Sequence, residues 1–138
     1  MTRGDDMQNF FAGLTVGIIV LQTMVLAPTL FRTIELEHAG KLLRALFPKF
    51  FLILAALGVV TLACSFASES GSIAQVVLAA VTILLPLICW LMVPATNRAT
   101  DAGDERTFKR LHTLSVLLTV LVLLSNIAIP LVPATPAS

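Results

Sequence analysis

The sequence predicts an all-α integral membrane protein, built as a bundle of four transmembrane helices. The 9 Lys or Arg and 8 Asp or Glu residues are clustered, and four long uncharged segments lie between the clusters. Each segment exceeds or approaches the ~20 residues that a helix needs to cross a hydrocarbon core of ~30 Å. A charge at the centre of such a helix costs roughly 2.5–3.5 kcal/mol, so clean segments of this length are typical of membrane spans. The composition agrees, with 57% hydrophobic residues and a mean hydropathy of +0.96.

The first predicted span is Phe10–Leu30, with Pro28 near its end. We interpret Met1–Gln8 as a short tail and not as a cleaved signal peptide. Its only cation, Arg3, is followed by acidic residues, and the apolar segment is longer than a typical signal core. We therefore expect the first span to be retained in the protein.

A charged amphipathic segment, Arg32–Phe47, follows the first span. Thr33 is suited to cap its start. Glu37 and Lys41 are four residues apart, which allows an ion pair on one helix face. Pro48 then begins or kinks the second span.

The second and third spans are predicted over Phe50–Ala67 and Ile73–Val93, and the third contains Pro86. The link Ser68–Ser72 is short, so these spans should form a tight antiparallel hairpin. The segment 94–110 reads as a polar loop in which Asp101 or Asp104 starts the next helix. The fourth span is Leu111–Ile129, and these spans, about 10–30, 50–67, 73–93 and 111–129, make one transmembrane domain.

The cations predict the orientation of the four spans. The connections 32–49 and 94–110 hold all but one of them, Arg3 being the exception. Since short cytoplasmic loops are enriched in Lys and Arg, both connections should be cytoplasmic. We expect an inner-membrane protein with both termini on the periplasmic side.

An internal repeat of helix pairs is suggested by four matches, each shifted by 66 residues. The matched residues are Pro28, Arg32, Glu35 and Arg44 with Pro94, Arg98, Asp101 and Arg110. Duplication would relate the helix pairs by an axis along the membrane normal. The alternative is that the same residue types ended two membrane spans independently, without duplication.

Each span carries a stripe of polar or small residues at helical spacing. The stripes are Thr15, Gln22 and Thr29; Ala55, Gly58, Thr61 and Ser65; Gln75, Thr82, Cys89 and Thr96; and His112, Ser115, Thr119 and Asn126. Polar groups are unsatisfied in lipid, so these faces should converge on the bundle interior, with Gln22, Thr82, Thr119 and Asn126 inside. The stripes either pack the helices or line a narrow polar path for a small solute. No Asp, Glu, Lys or Arg lies at membrane depth, which argues against an ion-coupled pump acting as a monomer.

Gly13 and Gly17 form a Gly-x-x-x-Gly pair on the first span, on the face roughly opposite Gln22. Such a face lets helix backbones approach closely. It packs either within the bundle or against a second chain, as in a homo-oligomer.

The residues that suit a metal are few. His38 and His112 are the only histidines, and Cys89 is predicted in the inner half of the third span. These side chains bind soft metals or haem iron, but no two of them form a local ligand pair. The other interpretation is interfacial histidines with ordinary core sulfur, so the sequence requires no cofactor. Cys64 and Cys89 differ in predicted depth by roughly 20 Å, which is too far for a disulfide.

Other function classes find little support in the sequence. No nucleophile with a base, no paired carboxylates and no phosphate-binding glycine loop indicates an enzyme. The net charge of +1 gives no sign of nucleic-acid binding. The remaining partner is the lipid bilayer, together with other membrane proteins.

Two stretches, Val25–Phe51 and Leu91–Leu118, carry a family resemblance. The features are Ala27–Pro28, Phe31, Ala39–Gly40, Phe47–Pro48, Pro94 and Phe108–His112. They resemble a small bacterial four-helix membrane family of unknown function, related to eukaryotic transmembrane protein two-hundred-and-five. That family is similar, distantly, to copper-resistance-D-type membrane proteins. The resemblance implies the architecture and no assigned reaction; its distant kinship favours handling of a metal or porphyrin at His38 and His112.

Two functions are therefore expected. The first is non-enzymatic binding or movement of a small solute, soft metal or porphyrin in the inner membrane. The alternative is an accessory or assembly subunit packed against a larger membrane complex.

Overall fold

The computed structural model describes residues 3–68 and 71–133, and this part of the chain is folded almost entirely into helices. Four of its helices are long and apolar enough to cross a membrane. The elements are α1 (Arg3–Val20), a π-helical segment (Leu21–Leu26), α2 (Ala27–Thr33), α3 (Leu36–Ala67), α4 (Ile73–Asp101), α5 (Glu105–Ala128) and a closing 3₁₀ turn (Ile129–Leu131). α1, the π segment and α2 form one rod of 31 residues, which we call the first rod. The predicted all-α fold with four apolar helices is confirmed.

Successive long helices run antiparallel. Gly4 at the start of α1 lies against Ser68 at the end of α3, and Gly58 of α3 lies against Thr82 of α4. The Cys89 thiol of α4 is 3.8 Å from the Ser115 carbonyl oxygen of α5. One end of the bundle thus holds the start of α1, the α3–α4 link and the end of α5, and we call it the terminal end. The opposite end holds the two charged connections, and we call it the charged end.

The first rod begins seven residues earlier than the predicted span. Residues 3–8, expected in a tail, are the first turns of α1. Asp5 and Gln8 face inward, with 8% and 0% of their surfaces exposed. The inward-facing positions of α1 therefore start at Asp5 and include Gln8, which the predicted span, beginning at Phe10, left out.

The π segment Leu21–Leu26 lies immediately before the helix that contains Pro28. The Ala27 N–H bonds the Gln22 carbonyl, one residue further back than in an α-helix. Pro28 has no N–H, so the Met24 carbonyl lacks its usual donor and the turn widens before the proline. A π turn holds one extra residue, so the next inward-facing residue after Gln22 is Leu30, and Thr29 is exposed.

α3 passes through Pro48 as one helix of 32 residues, about 48 Å long. It exceeds a ~30 Å hydrocarbon core by about a third of its length. Thr33 does not cap it, because its hydroxyl donates to the Thr29 carbonyl at 2.7 Å and the helix begins at Leu36. The ion pair between Lys41 and Glu37 is confirmed at 2.7 Å. The amphipathic segment and the second span are thus one element.

α4 starts with a capping box, in which Ser72 and Gln75 bond each other's backbone N–H groups. It contains both Pro86 and Pro94 and continues to Asp101. Most of the predicted loop 94–110 is therefore helical. The connection is a tight turn at 102–104, where Gly103 takes a φ of +66° that glycine adopts without strain.

Asp104 starts α5, as predicted for one of the two aspartates. Its carboxylate accepts a hydrogen bond from the Thr107 backbone N–H at 3.0 Å. The hydrogen bonds that Thr107 donates hold the pKa of Asp104 below its ordinary value of 3.8. This carboxylate therefore stays ionised at neutral pH, at the positive end of the helix dipole.

One ion pair joins the two charged connections. The Arg44 guanidinium on α3 lies 2.7 Å from the Asp101 carboxylate at the end of α4. Both side chains are partly exposed, so the pair contributes about 0–1 kcal/mol. It links α3 to the end of α4, just before the turn that leads into α5.

Two apolar clusters fill the bundle away from the terminal end. The larger consists of Ile19, Phe50, Phe51, Leu54, Cys89 and Val122, with Phe47 stacked on Phe51 at a centroid distance of 6.0 Å. The smaller joins Leu30 of α2 to Ala39 and Leu43 of α3. Many large apolar side chains on every helix point outward, as in a protein whose solvent is lipid.

Candidate functional site in the polar half of the bundle

Polar side chains share the bundle interior with Ala12, Ala79 and Ile129 from the terminal end to about its middle. We call this region the polar half, and its buried polar members are Gln8, Thr15, Thr61, Ser65, Gln75, Thr82, Ser125 and Asn126. Each is at most 9% exposed, so they face one another and not lipid. Among the described residues, the polar half contains only one ionisable side chain, Asp5, which lies at its mouth.

The outer part of the polar half is a chain of hydrogen bonds between α1 and α3. Asp5 accepts a short hydrogen bond from the Ser68 hydroxyl. One turn deeper, the Gln8 amide nitrogen donates to the Ser65 hydroxyl oxygen at 2.6 Å. The Ser65 hydroxyl in turn donates to the Thr61 carbonyl at 3.0 Å. This chain of polar contacts joins the outer end of the first rod to the end of α3.

The inner part of the polar half joins α4 to α5 around Gly58. The Asn126 amide nitrogen donates to the Thr82 hydroxyl oxygen and to the Val122 carbonyl, both at 2.8 Å. A Cβ at Gly58 would lie 2.8 Å from the Thr82 carbonyl carbon. Glycine is therefore required on α3 where its backbone meets the polar pair.

Two buried amide oxygens in the polar half have no partner among the described residues. They are Gln8 Oε1 and Asn126 Oδ1, on side chains that are 0% and 1% exposed. A buried polar atom without a partner costs about 1–3 kcal/mol relative to a satisfied one. Such atoms call for an explanation in a ligand, in water or in another conformation of the bundle.

The polar half ends at the larger apolar cluster, which we call the apolar half. Leu54, Cys89 and Val122 are each at most 1% exposed, and Phe50 and Phe51 lie beside them. A polar solute that entered from the terminal end would meet this cluster before it reached the charged end. In the described conformation the interior is therefore polar on one side and closed by hydrocarbon on the other.

The structure places the four predicted interior residues inside the bundle. Thr82 and Asn126 bond each other, and Thr119, 8% exposed, donates to the Ser115 carbonyl at 2.7 Å. Gln22 reaches inward from the π segment with 5% exposure, and its Nε2 has no partner among the described residues. Gln22 and Thr119 do not contact the Thr82–Asn126 pair through hydrogen bonds.

The predicted stripes leave the interior near the charged end. Thr29 and His112 are exposed, and Thr96 is partly buried. The register change at the π segment explains Thr29. No Cα atom of the π segment lies within 8 Å of α3, α4 or α5, so the backbones of the helices are further apart at this level. The polar faces therefore converge only in the polar half.

Gly13 and Gly17 point away from the bundle. A Cβ at either position would meet nothing within 4 Å, and both residues are exposed. Close packing within the chain, one of the two predicted alternatives, does not occur because α1 presents its Gln8 and Thr15 face to α3. The glycine pair faces whatever surrounds the protein.

The three candidate metal ligands lie in separate surroundings. His38, on an exposed turn of α3, is 3.4 Å from the Glu35 carboxylate. His112 stacks on Phe108 with ring centroids 5.6 Å apart, and Cys89 is buried in the apolar half. Among residues 3–68 and 71–133, no three His, Cys, Asp or Glu side chains are grouped so that they could hold a metal ion.

The sequence analysis missed Ser125 of α5 as a site residue, and on α1 it missed Gln8 and Asp5. The positions of Gln8 and Asp5 continue the inward pattern of α1, which runs through Asp5, Gln8, Ala12, Thr15 and Ile19 in steps of three and four. That periodicity is the signal that would have found them. The charges of Asp5 and Asp6 led the predicted span to begin at Phe10, so the periodicity before that residue was left out.

These features define a multi-pass membrane protein whose interior is polar in one half. The chain belongs to the family with the domain of unknown function DUF4149, whose family model matches residues 10–107. No curated protein matches the chain. No solved structure matches it either.

Proposed function

We propose that this protein binds a small polar solute in the polar half of its bundle, and that it lets the solute move between that half and the charged end. The observation that carries the proposal is the pair of buried, unpartnered amide oxygens on Gln8 and Asn126. A bundle that needed only packing would bury apolar groups, or polar groups that satisfy one another.

The spacing of the two oxygens suits a path with more than one binding position. Ser65, which holds Gln8, and Gly58, which lies against the Thr82–Asn126 pair, are seven residues apart on α3. Seven residues of helix rise about 10.5 Å. A solute at Asn126 would thus have crossed about a third of a ~30 Å hydrocarbon core.

Passage beyond Asn126 requires the apolar half to open. The π segment is the element best placed to allow this, because its backbone is not in close contact with α3, α4 or α5. π turns interrupt the regular hydrogen-bond ladder and frequently lie at functional positions. The unpartnered Gln22 amide nitrogen points inward from this segment, on the far side of Ile19 from the polar half.

Proteoliposomes test the proposal. We expect wild-type protein to speed stopped-flow volume recovery with at least one solute among glycerol, urea, acetamide and methylammonium chloride. Asn126→Leu should abolish the gain, whereas Thr113→Val, an exposed position on α5, should retain it. Permeability equal to that of empty vesicles for every solute would refute movement.

We propose further that the charged end is cytoplasmic and that the membrane is the bacterial inner membrane. The support is the excess of Lys and Arg in the two charged connections over Arg3 at the terminal end. Single-cysteine variants of Lys41 and Arg3, labelled in intact cells with a membrane-impermeant maleimide, give the test. Labelling of position 41 and not of position 3 would reverse the orientation.

An accessory role in a larger membrane complex is the second candidate, and one observation favours it. Gly13 and Gly17 offer an outward-facing Gly-x-x-x-Gly surface that this chain does not use. Purification in a mild detergent should then recover a stoichiometric partner, or a homo-oligomer if the partner is a second copy. Gly13→Leu with Gly17→Leu should release it without unfolding the chain.

A soft-metal or porphyrin site at His38, His112 and Cys89 stays a prediction, as does the kinship with transmembrane protein two-hundred-and-five and copper-resistance-D-type proteins. The site is tested by measuring the metal and haem content of the purified wild type and of the double variant His38→Ala, His112→Ala. Equal content in both proteins would end it.

A further inference from the structure

Four of the five buried hydroxyl groups in the polar half donate their hydrogens to the protein's own backbone. Each of these four donates to the carbonyl four residues earlier in its helix, at 2.8–3.1 Å. The bonds run from Thr15 to Phe11, Thr61 to Leu57, Ser65 to Thr61 and Thr82 to Leu78, at 2.9, 2.8, 3.0 and 3.1 Å. These side chains can still accept hydrogen bonds but have no hydrogen left to donate.

The orientation of the Asn126 amide follows from its partners. The Val122 carbonyl can only accept, so the atom 2.8 Å from it must be the Asn126 nitrogen. The same nitrogen donates to Thr82, whose own hydrogen goes to Leu78. The group left over is therefore Oδ1, an acceptor.

The same reasoning applies to Gln8. The Ser65 hydroxyl donates its hydrogen to the Thr61 carbonyl, so the hydrogen between Ser65 and Gln8 comes from the Gln8 amide nitrogen. Gln8 Oε1 is left over, again an acceptor. The oxygen and nitrogen of each amide are thus fixed by its partners. In both Gln8 and Asn126, the atom left without a partner is the oxygen.

Two further acceptors lie along the same half. Pro86 has no N–H, so the Thr82 carbonyl lacks the donor that an α-helix would supply. At the mouth, Asp5 contributes a carboxylate that is 8% exposed. Acceptor atoms thus lie along the polar half from its mouth to its inner end, and two of them, Gln8 Oε1 and Asn126 Oδ1, are buried without a partner among the described residues.

We infer that the solute of the polar half is a small hydrogen-bond donor with N–H groups, such as a primary ammonium ion or a primary amide. This rests on the proposed function and adds the class of solute. Solutes that can only accept hydrogen bonds would leave Gln8 Oε1 and Asn126 Oδ1 unpartnered and would add unpartnered acceptors of their own.

Paired probes test the donor requirement. Methylammonium and tetramethylammonium chloride carry the same charge, but only the first has N–H groups; acetamide and N,N-dimethylacetamide form the uncharged pair. We expect a saturating rise in the apparent melting temperature of the purified protein with a donor probe and none with its methylated partner. At ten times the dissociation constant, the rise should be about 4 °C or more.

The two pairs also separate a cation site from a neutral one. A rise with methylammonium alone indicates that the Asp5 carboxylate at the mouth selects charge, and a rise with acetamide as well indicates recognition by the amide oxygens alone. Either result supports the donor requirement. Equal rises within a pair would overturn it while leaving solute binding intact, and no rise with any probe would overturn both.

Variants assign the effect to the two oxygens. Asn126→Leu should remove at least half of the rise, and Gln8→Leu provides a second test at the other acceptor. Thr113→Val is the control, because it lies at an exposed position on α5 outside the polar half, and it should keep the rise. A full rise in both leucine variants would overturn the inference.

Discussion

The polar and apolar halves of the bundle bury their side chains equally well but hold the helices together differently. In the apolar half, Leu54 and Val122 pack with Cys89 at 1% exposure or less. In the polar half, Thr15, Thr61 and Thr82 are just as buried, yet their hydroxyls bond their own helices. Hydrogen bonds between elements there run from Gln8 to Ser65, from Asn126 to Thr82 and, at the mouth, from Ser68 to Asp5. The two halves are therefore equally buried but differ in the interactions by which they stabilise the bundle.

The difference indicates a division of labour. Interhelical hydrogen bonds in membranes contribute about 0.6 kcal/mol each on average, whereas deletion of a packed aliphatic side chain costs about 2–5 kcal/mol. The apolar half should then carry most of the stability. The polar half can keep unpartnered acceptors because its hydrogen bonds contribute the smaller share of the stability.

The largest expected effect comes from the glycines. Gly58→Leu should unfold the bundle, since its Cβ would lie 2.8 Å from the Thr82 backbone, which cannot move aside. Ordinary overpacking costs about 1–3 kcal/mol, and a clash with backbone should cost more than that and more than the loss of a single packed side chain. Gly13→Leu is the control and should change stability by less than about 0.5 kcal/mol. Denaturation in mixed micelles measures both; an unfolded Gly13→Leu would mean that α1 packs differently.

Leu54→Ala and Thr61→Ala sharpen the comparison between the halves. Both positions are 0% exposed. We expect Leu54→Ala to lower the free energy of unfolding by about 2–5 kcal/mol and Thr61→Ala by about 0.6 kcal/mol or less. The same micelle titrations give both values. Equal losses would break the proposed division of labour.

Cysteine labelling compares access to the two halves. In a Cys64→Ser, Cys89→Ala background, Ser65→Cys should react with 2-aminoethyl methanethiosulfonate at least about tenfold faster than Leu54→Cys. Both side chains are buried, with 3% and 0% exposure, so the rates report opening of each half. Labelling is followed by mass spectrometry. Faster reaction at position 54 would mean that the apolar half opens to solvent more readily than the polar half, which would contradict the proposed path.

The smallest effect is expected at the Asp104 cap, which lies outside both halves. Its pKa is lowered from 3.8 by the hydrogen bonds from Thr107, so its contribution is present above pH 3.8 and is lost as the pH falls through the lower folded-state value. The melting temperatures of wild type and Asp104→Asn should therefore differ by a constant amount from pH 7 to 5 and converge below pH 3.8. A gap that widened in acid would contradict the cap.

The four helices were predictable because charge is excluded from lipid and so marks each span. The burial of Thr82 and Asn126 followed from their spacing, since a polar stripe has to turn away from acyl chains. The extension of α3 through Pro48 was not predictable, because proline kinks some membrane helices and is absorbed by others. The unpartnered oxygens were also beyond reach, because they depend on which partner each amide finds in three dimensions.

The π segment has a consequence for how the length of this chain can vary. A π turn holds one residue more than an α turn, so removing one residue there, such as the exposed Val25, would let the turn close as an ordinary helix. Gln22 and Leu30 would keep facing inward on either side. A deletion elsewhere in α1 or α3 would swing one flank by about 100° about the helix axis. Family members one residue shorter in the first helix should therefore have their alignment gap within Leu21–Leu26.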